Sequence, residues 1–134
     1  MTPEELLHDE AGRWLVQARK DLTAAEALVT VEPSRSLFHS QQAAEKSAKA
    51  LLTARNVPFR KTHDIQELGD QCVRLNPLLA PLFTEAENLT DYAVVFRYLD
   101  APREPDAEEA LGAVETARRL LQEVRALLDP NREP

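Results

Sequence analysis

The chain has 134 residues, 43% of them hydrophobic and 29% charged, a size and balance suited to one globular domain around one core. Lys and Arg total 16 against 23 Asp and Glu, so the net charge of -7 makes the surface as a whole repel nucleic acid and anionic membrane, and any nucleotide or RNA site must be local. A lone cysteine excludes an intramolecular disulfide and a cysteine-based metal site. The N-terminus lacks the basic start and apolar run of a signal peptide, and no apolar stretch approaches the roughly 20 residues that span a bilayer; a cytoplasmic protein without membrane contact is expected.

Taken in chain order, Thr2-Pro3-Glu4-Glu5 reads as a capping box with proline at the first helical position. The helix it opens carries a stripe of Leu7, Trp14, Ala18, Leu22, Ala25 and Leu28/Val29, and Glu32-Pro33 ends it. A second, alanine-rich helix runs from Pro33-Ser34 to Asn56-Val57-Pro58. On it, Ala44 and Ala48 align with Leu37, Gln41 and Leu51, so a neighbouring helix can approach closely. The adjacent row, Phe38, Gln42, Glu45, Lys49 and Leu52, is a polar strip with apolar ends.

A loop with Arg60-Lys61-Thr62-His63 precedes a short third helix capped by Asp64, with Glu67 three residues on and Ile65, Leu68, Cys72 and Leu75 as its apolar positions. Asn76-Pro77 opens a fourth segment, interrupted or kinked at Pro81, that continues through Leu82, Phe83, Ala86, Leu89, Ala93 and Phe96 until Asp100-Ala101-Pro102 breaks it. The last helix starts at Asp106, with Glu109 completing a capping box, and buries Ala110/Leu111, Val114, Ala117, Leu121, Val124 and Leu128. Strand patterns and internal repeats are absent. The expectation is an all-α, up-and-down bundle of four to five helices, a single domain over 1–134 with its core at about 10–128 and a polar tail at 129–134.

Several chemistries fail on spacing. His8, His39 and His63 lie in different segments with no i, i+4 pair, so no metal site is expected. Cys72 sits at an apolar helix position, as a structural thiol does. The glycines, Gly12, Gly69 and Gly112, are isolated inside helical patterns and form no phosphate loop, and no cofactor is expected. What remains is Gln42, Glu45, Lys46, Lys49, Arg55, Arg60, Lys61, His63 and Asp64. One reading is a solvated face, with Glu45 and Lys49 as an i, i+4 pair. The other is a cationic patch of Lys46, Lys49 and the Arg60-Lys61-His63 group for a phosphate. A second constellation, Asp91-Tyr92 with Phe96-Arg97-Tyr98, serves either to cap the core or to hold phosphate through arginine and tyrosine donors.

The run Trp14-Leu15-Val16-Gln17-Ala18-Arg19-Lys20-Asp21-Leu22 is followed by Phe38-His39-Ser40-Gln41-Gln42-Ala43-Ala44-Glu45-Lys46, then by Thr62-His63-Asp64-Ile65, Tyr92 and Arg97-Tyr98. Together these resemble the HEPN family (higher eukaryotes and prokaryotes nucleotide-binding domain) from about Glu10 to Leu128. The resemblance implies a helical bundle that often homodimerises and works beside a minimal nucleotidyltransferase or in a toxin-antitoxin pair. It makes Gln42, Glu45, Lys46, Lys49, His63, Asp64, Tyr92, Arg97 and Tyr98 the candidate ligand-binding residues, for a nucleotide or RNA. Catalytic members of the family cut RNA without metal, using an arginine followed after four to six residues by histidine. Here the matching arginine is Arg97, and positions 102 to 104 are Pro102, Arg103 and Glu104. The missing histidine favours a binding module without catalysis. The alternatives are a ribonuclease in which Arg97, Tyr98 and His63 replace the usual pair, and a purely structural interaction partner.

Overall fold

The structure, a computed structural model, describes residues 1–95, 104–129 and 131, with 90–95 described by their backbone alone. The described residues form five α-helices: α1 (Pro3–Leu28), α2 (Pro33–Ala54), α3 (Ile65–Leu75), α4 (Ala80–Val95) and α5 (Ala107–Leu128). No helix among them is long and apolar enough to cross a membrane.

The helix ends are set by local chemistry. Thr2 Oγ1 accepts from the Glu5 amide at 3.1 Å, Asp64 Oδ1 from the Gln66 amide at 3.0 Å, and Asp106 Oδ1 from the Glu109 amide at 2.8 Å. Each cap satisfies donors that a helix start otherwise leaves orphaned. At the end of α2, Asn56 adopts a left-handed conformation with φ of 56°. Its amide donates to Thr53 O at 3.0 Å and the Val57 amide donates to Leu52 O at 2.9 Å, the crossed pair of a Schellman motif, and Pro58 prevents any continuation.

The passage from α3 to α4 differs from the expected kink at Pro81. Asn76 Oδ1 accepts from the Leu78 amide at 3.1 Å and starts a 3-10 turn, Pro77–Leu79, so that α4 begins only at Ala80. Pro81 therefore lies in the first turn of α4, where its missing N–H has no helical acceptor to lose.

Helix α2 is the centre of the bundle and packs against each of the other four helices. Its composition allows this, because a helix covered on every side needs small residues where neighbours approach. Ala43, Ala44, Ala48 and Ala50 are fully buried, and so are Ser36, Ser40 and Ser47. Ser47 Oγ donates to Ala43 O within α2 at 2.8 Å, and Ser36 Oγ donates to Ala25 O of α1 at 2.6 Å, tying the closed end of an antiparallel α1–α2 hairpin. The larger core unites Ala48, Leu51 and Leu52 of α2 with Ile65, Leu68 and Cys72 of α3, Phe83 of α4 and Leu120 and Val124 of α5. A second cluster joins Ala18, Leu22 and Ala25 of α1 to Ala43 and to Val114, Ala117 and Leu121 of α5.

Several expected core positions are displaced. Leu7 and Trp14 are only half-buried, because the α1 stripe is centred on Ala11 and Ala18. Leu75 and Leu111 are exposed, and at the start of α5 it is Ala110 that points inward. Ala93 lies where the backbone alone is described, and Phe96 falls outside the described residues.

Candidate functional site

Glu45 and Lys49 of α2 do not face open water. Glu45 is 2% exposed and Lys49 7%, which overturns the solvated-face reading for this pair. An i, i+4 spacing places both on one face of α2, with Lys49 Nζ 3.6 Å from Glu45 Oε1. The same ammonium lies 5.3 Å from the centroid of the Trp14 ring on α1, a cation–π distance. From the other side His63, in the turn before α3, brings Nδ1 to 2.6 Å from Glu45 Oε1. A carboxylate only accepts, so His63 Nδ1–H is the donor. The buried carboxylate of Glu45 thus has an ammonium and an imidazole for partners, which offsets the cost of taking it out of water.

Two turns further along α1 from Trp14, Asp21 makes a second bracket. Lys46 Nζ donates to Asp21 Oδ2 at 2.5 Å, and His39 Nδ1 donates to Asp21 Oδ1 at 2.8 Å. His39 and Lys46 are seven residues apart, so both project from one side of α2 towards α1. The Asp21 side chain is 13% exposed, those of His39 and Lys46 32% and 24%. The two brackets therefore differ: that of Asp21 reaches the surface through His39 and Lys46, whereas among the described residues that of Glu45 does so through His63, whose side chain is 81% exposed.

The remaining candidates fall into place around these brackets. Asp64 caps α3, and Thr62 Oγ1 accepts from the Asp64 amide at 3.0 Å, so the Thr62-His63-Asp64 turn both starts the helix and aims His63 at Glu45. Arg60 forks onto Glu67 at 2.6 and 2.7 Å. That hydrogen-bonded guanidinium holds the Glu67 carboxyl below its ordinary pKa, and the carboxylate in turn raises that of Arg60. Gln42 is half-buried on α2 and Lys61 is exposed. Of the proposed cationic patch, Lys46, Lys49 and Arg60 each face a carboxylate, and the charges are compensated within the chain. The side chain of Tyr92, together with Arg97 and Tyr98, lies outside the described residues.

Trp14, Asp21 and His39 join the site without having been singled out. Asp21 had a legible signal: a carboxylate between Ala18, Leu22 and Ala25 falls at the edge of the buried stripe of α1, where a charge needs a partner. Gln41 Oε1 and Ser40 Oγ are buried on α2 with no hydrogen-bond partner among the described residues.

These features define an α-helical bundle whose central helix carries a Gln-Gln-Ala-Ala-Glu-Lys string tied by carboxylates to the helix before it and the turn after it. The family model of the HEPN domain matches residues 11–127, and the chain belongs to the HEPN domain family. No curated protein and no solved structure matches it.

Proposed function

We propose that this chain is a HEPN module that acts by binding, as a homodimer beside a minimal nucleotidyltransferase or in a toxin-antitoxin-like pair, and not by cutting RNA. The observation that carries the reading is the compensation of Lys46 by Asp21 and of Lys49 by Glu45. A lysine that neutralises a transition-state phosphate must be free to face it, and here both ammonium groups are committed to carboxylates of the same chain. The absence of histidine at 102–104 after Arg97 points the same way.

Co-expression with a nucleotidyltransferase-fold protein encoded by an adjacent gene, followed by light scattering of the purified material, tests this. A stable complex containing two copies of this chain is expected. A lone monomer that ignores the nucleotidyltransferase contradicts it. In the same samples, titration with labelled ATP and GTP tests nucleotide binding, with Arg97→Ala as the variant that should weaken it.

One observation favours a second reading, a ribonuclease built on Arg97, Tyr98 and His63. An exposed imidazole held by a buried carboxylate is the arrangement that orients a histidine for proton transfer. Metal-independent cleavage of a structured RNA, lost in both Arg97→Ala and His63→Ala, is its signature.

A further inference from the structure

A groove between α1 and α5 gathers three cations that have no carboxylate partner among the described residues. Helix α1 turns two rows of side chains towards α5, Leu15 with Arg19 and Val16 with Lys20, each an i, i+4 pair in which an apolar residue is followed one turn later by a cation. Arg125 of α5 faces them, one position beyond the buried Val124. Together these five residues line a cavity of about 460 Å³, within the size range of small-molecule sites. Leu15 and Arg125 also line a smaller cavity of about 190 Å³ that extends the groove towards His8.

Arg35, Arg55, Lys61 and Arg74 also lack a carboxylate partner among the described residues, but here three such cations converge on one cavity. Elsewhere Arg13 pairs with Asp9, Arg60 with Glu67, Arg118 with Glu26 and Glu115, and Arg119 with Glu85. Arg19, Lys20 and Arg125 have no carboxylate partner among the described residues, although the chain carries seven more negative than positive charges. Asp21, next to Lys20, is turned away to α2, and Asp129, beside the smaller cavity, accepts from the Asn131 amide at 2.9 Å. The apolar part is equally open, with Val16 53% exposed.

The geometry points to this α1–α5 groove as a binding site for a small soluble organic phosphate, its apolar body on Leu15 and Val16 and its phosphate held by Arg19, Lys20 and Arg125. Two guanidinium groups from different helices can each present a fork to the phosphate oxygens, with the ammonium as a third donor. An apolar wall without hydrogen-bonding groups selects for a hydrophobic body without specifying its edge. No residue of the α2 strip lines this groove, and its chemistry calls for no nucleotidyltransferase partner.

Isothermal titration of the full chain with 1-naphthyl phosphate, inorganic phosphate and 1-naphthol tests it. Saturable one-to-one binding of naphthyl phosphate is expected, with inorganic phosphate and naphthol each weaker. Arg19→Gln and Arg125→Gln should each weaken binding about tenfold, the loss of one charge-assisted hydrogen-bonded partner. Arg35→Gln, which removes an exposed cation outside the groove, should leave it unchanged. All three substitutions are at exposed positions, and thermal melts confirm that each variant is folded. The proposal is overturned by no saturable binding, by an equal loss in Arg35→Gln, or by binding only to vesicles that display a phosphomonoester lipid.

Discussion

His63 Nδ1 lies 2.6 Å from Glu45 Oε1, joining a side chain 81% exposed to one only 2% exposed. Through this contact the turn before α3 closes over the central helix, and a solvated partner of a buried carboxylate comes from a loop. Lys49 approaches the same oxygen from within α2 and rests on Trp14, so one carboxylate links α1, α2 and the α3 turn.

Glu45→Ala should be among the most damaging substitutions in the chain, because it leaves the Lys49 ammonium buried without a counter-charge. A loss of about 3–5 kcal/mol is expected in urea denaturation, the range for breaking a buried ion pair from one side. Lys49→Met keeps an unbranched chain against Trp14 and removes the charge. The double variant Glu45→Gln with Lys49→Met should lose less than the sum of its single changes, since the pair fails as a unit.

The three glycines separate cleanly. A Cβ at Gly69 would lie 2.8 Å from Phe83 Cδ1 and 3.0 Å from Cγ, so Gly69→Ala must push the buried ring out of place. Such overpacking costs about 1–3 kcal/mol. Gly12 and Gly112 have nothing within 4 Å of the same position and sit inside helices. There alanine should raise stability by about 0.5–1 kcal/mol each. Thermal melts of the three variants give the order directly.

Burial pushes the Cys72 thiol up to about 12. Its Sγ donates to Ala48 O at 3.5 Å. A thiol-specific reagent at pH 8 should therefore modify the native chain far more slowly than the urea-unfolded chain. The linkage has a definite sign: the native thiol keeps its proton while the unfolded one loses it in the ordinary thiol range. This contribution to stability is complete below that range and is lost as pH rises towards 12. Cys72→Ala should remove that component of the alkaline decline.

Asp21→Asn keeps the shape of the α1–α2 bracket but removes the charge that holds Lys46 and His39. The pair is partly solvated, so the expected loss is about 1–2 kcal/mol, below that of Glu45→Ala. Urea denaturation of the two variants side by side checks the ranking.

Much of the fold was legible in local chemistry. The caps at Thr2, Asp64 and Asp106 each need only a side chain and an amide two or three residues on, so short sequence patterns carry them. The start of α4 was harder to read, because the 3-10 turn capped by Asn76 shifts the helix start past Pro77 and makes Pro81 an initiator instead of a break. The polar strip was the least legible part. Glu45 and Lys49 have the spacing of an exposed ion pair, and what distinguishes them is tertiary: the Trp14 ring from α1 and the imidazole from the α3 turn. His39 gave no local signal at all, since its partner Asp21 lies 18 residues away on another helix.

The central claim, that this HEPN chain binds and does not cut, is tested most directly by incubating the purified protein with a structured RNA in the presence of chelator. The RNA is expected to stay intact over hours at protein excess. Cleavage by the wild-type chain that disappears in both Arg97→Ala and His63→Ala would contradict it.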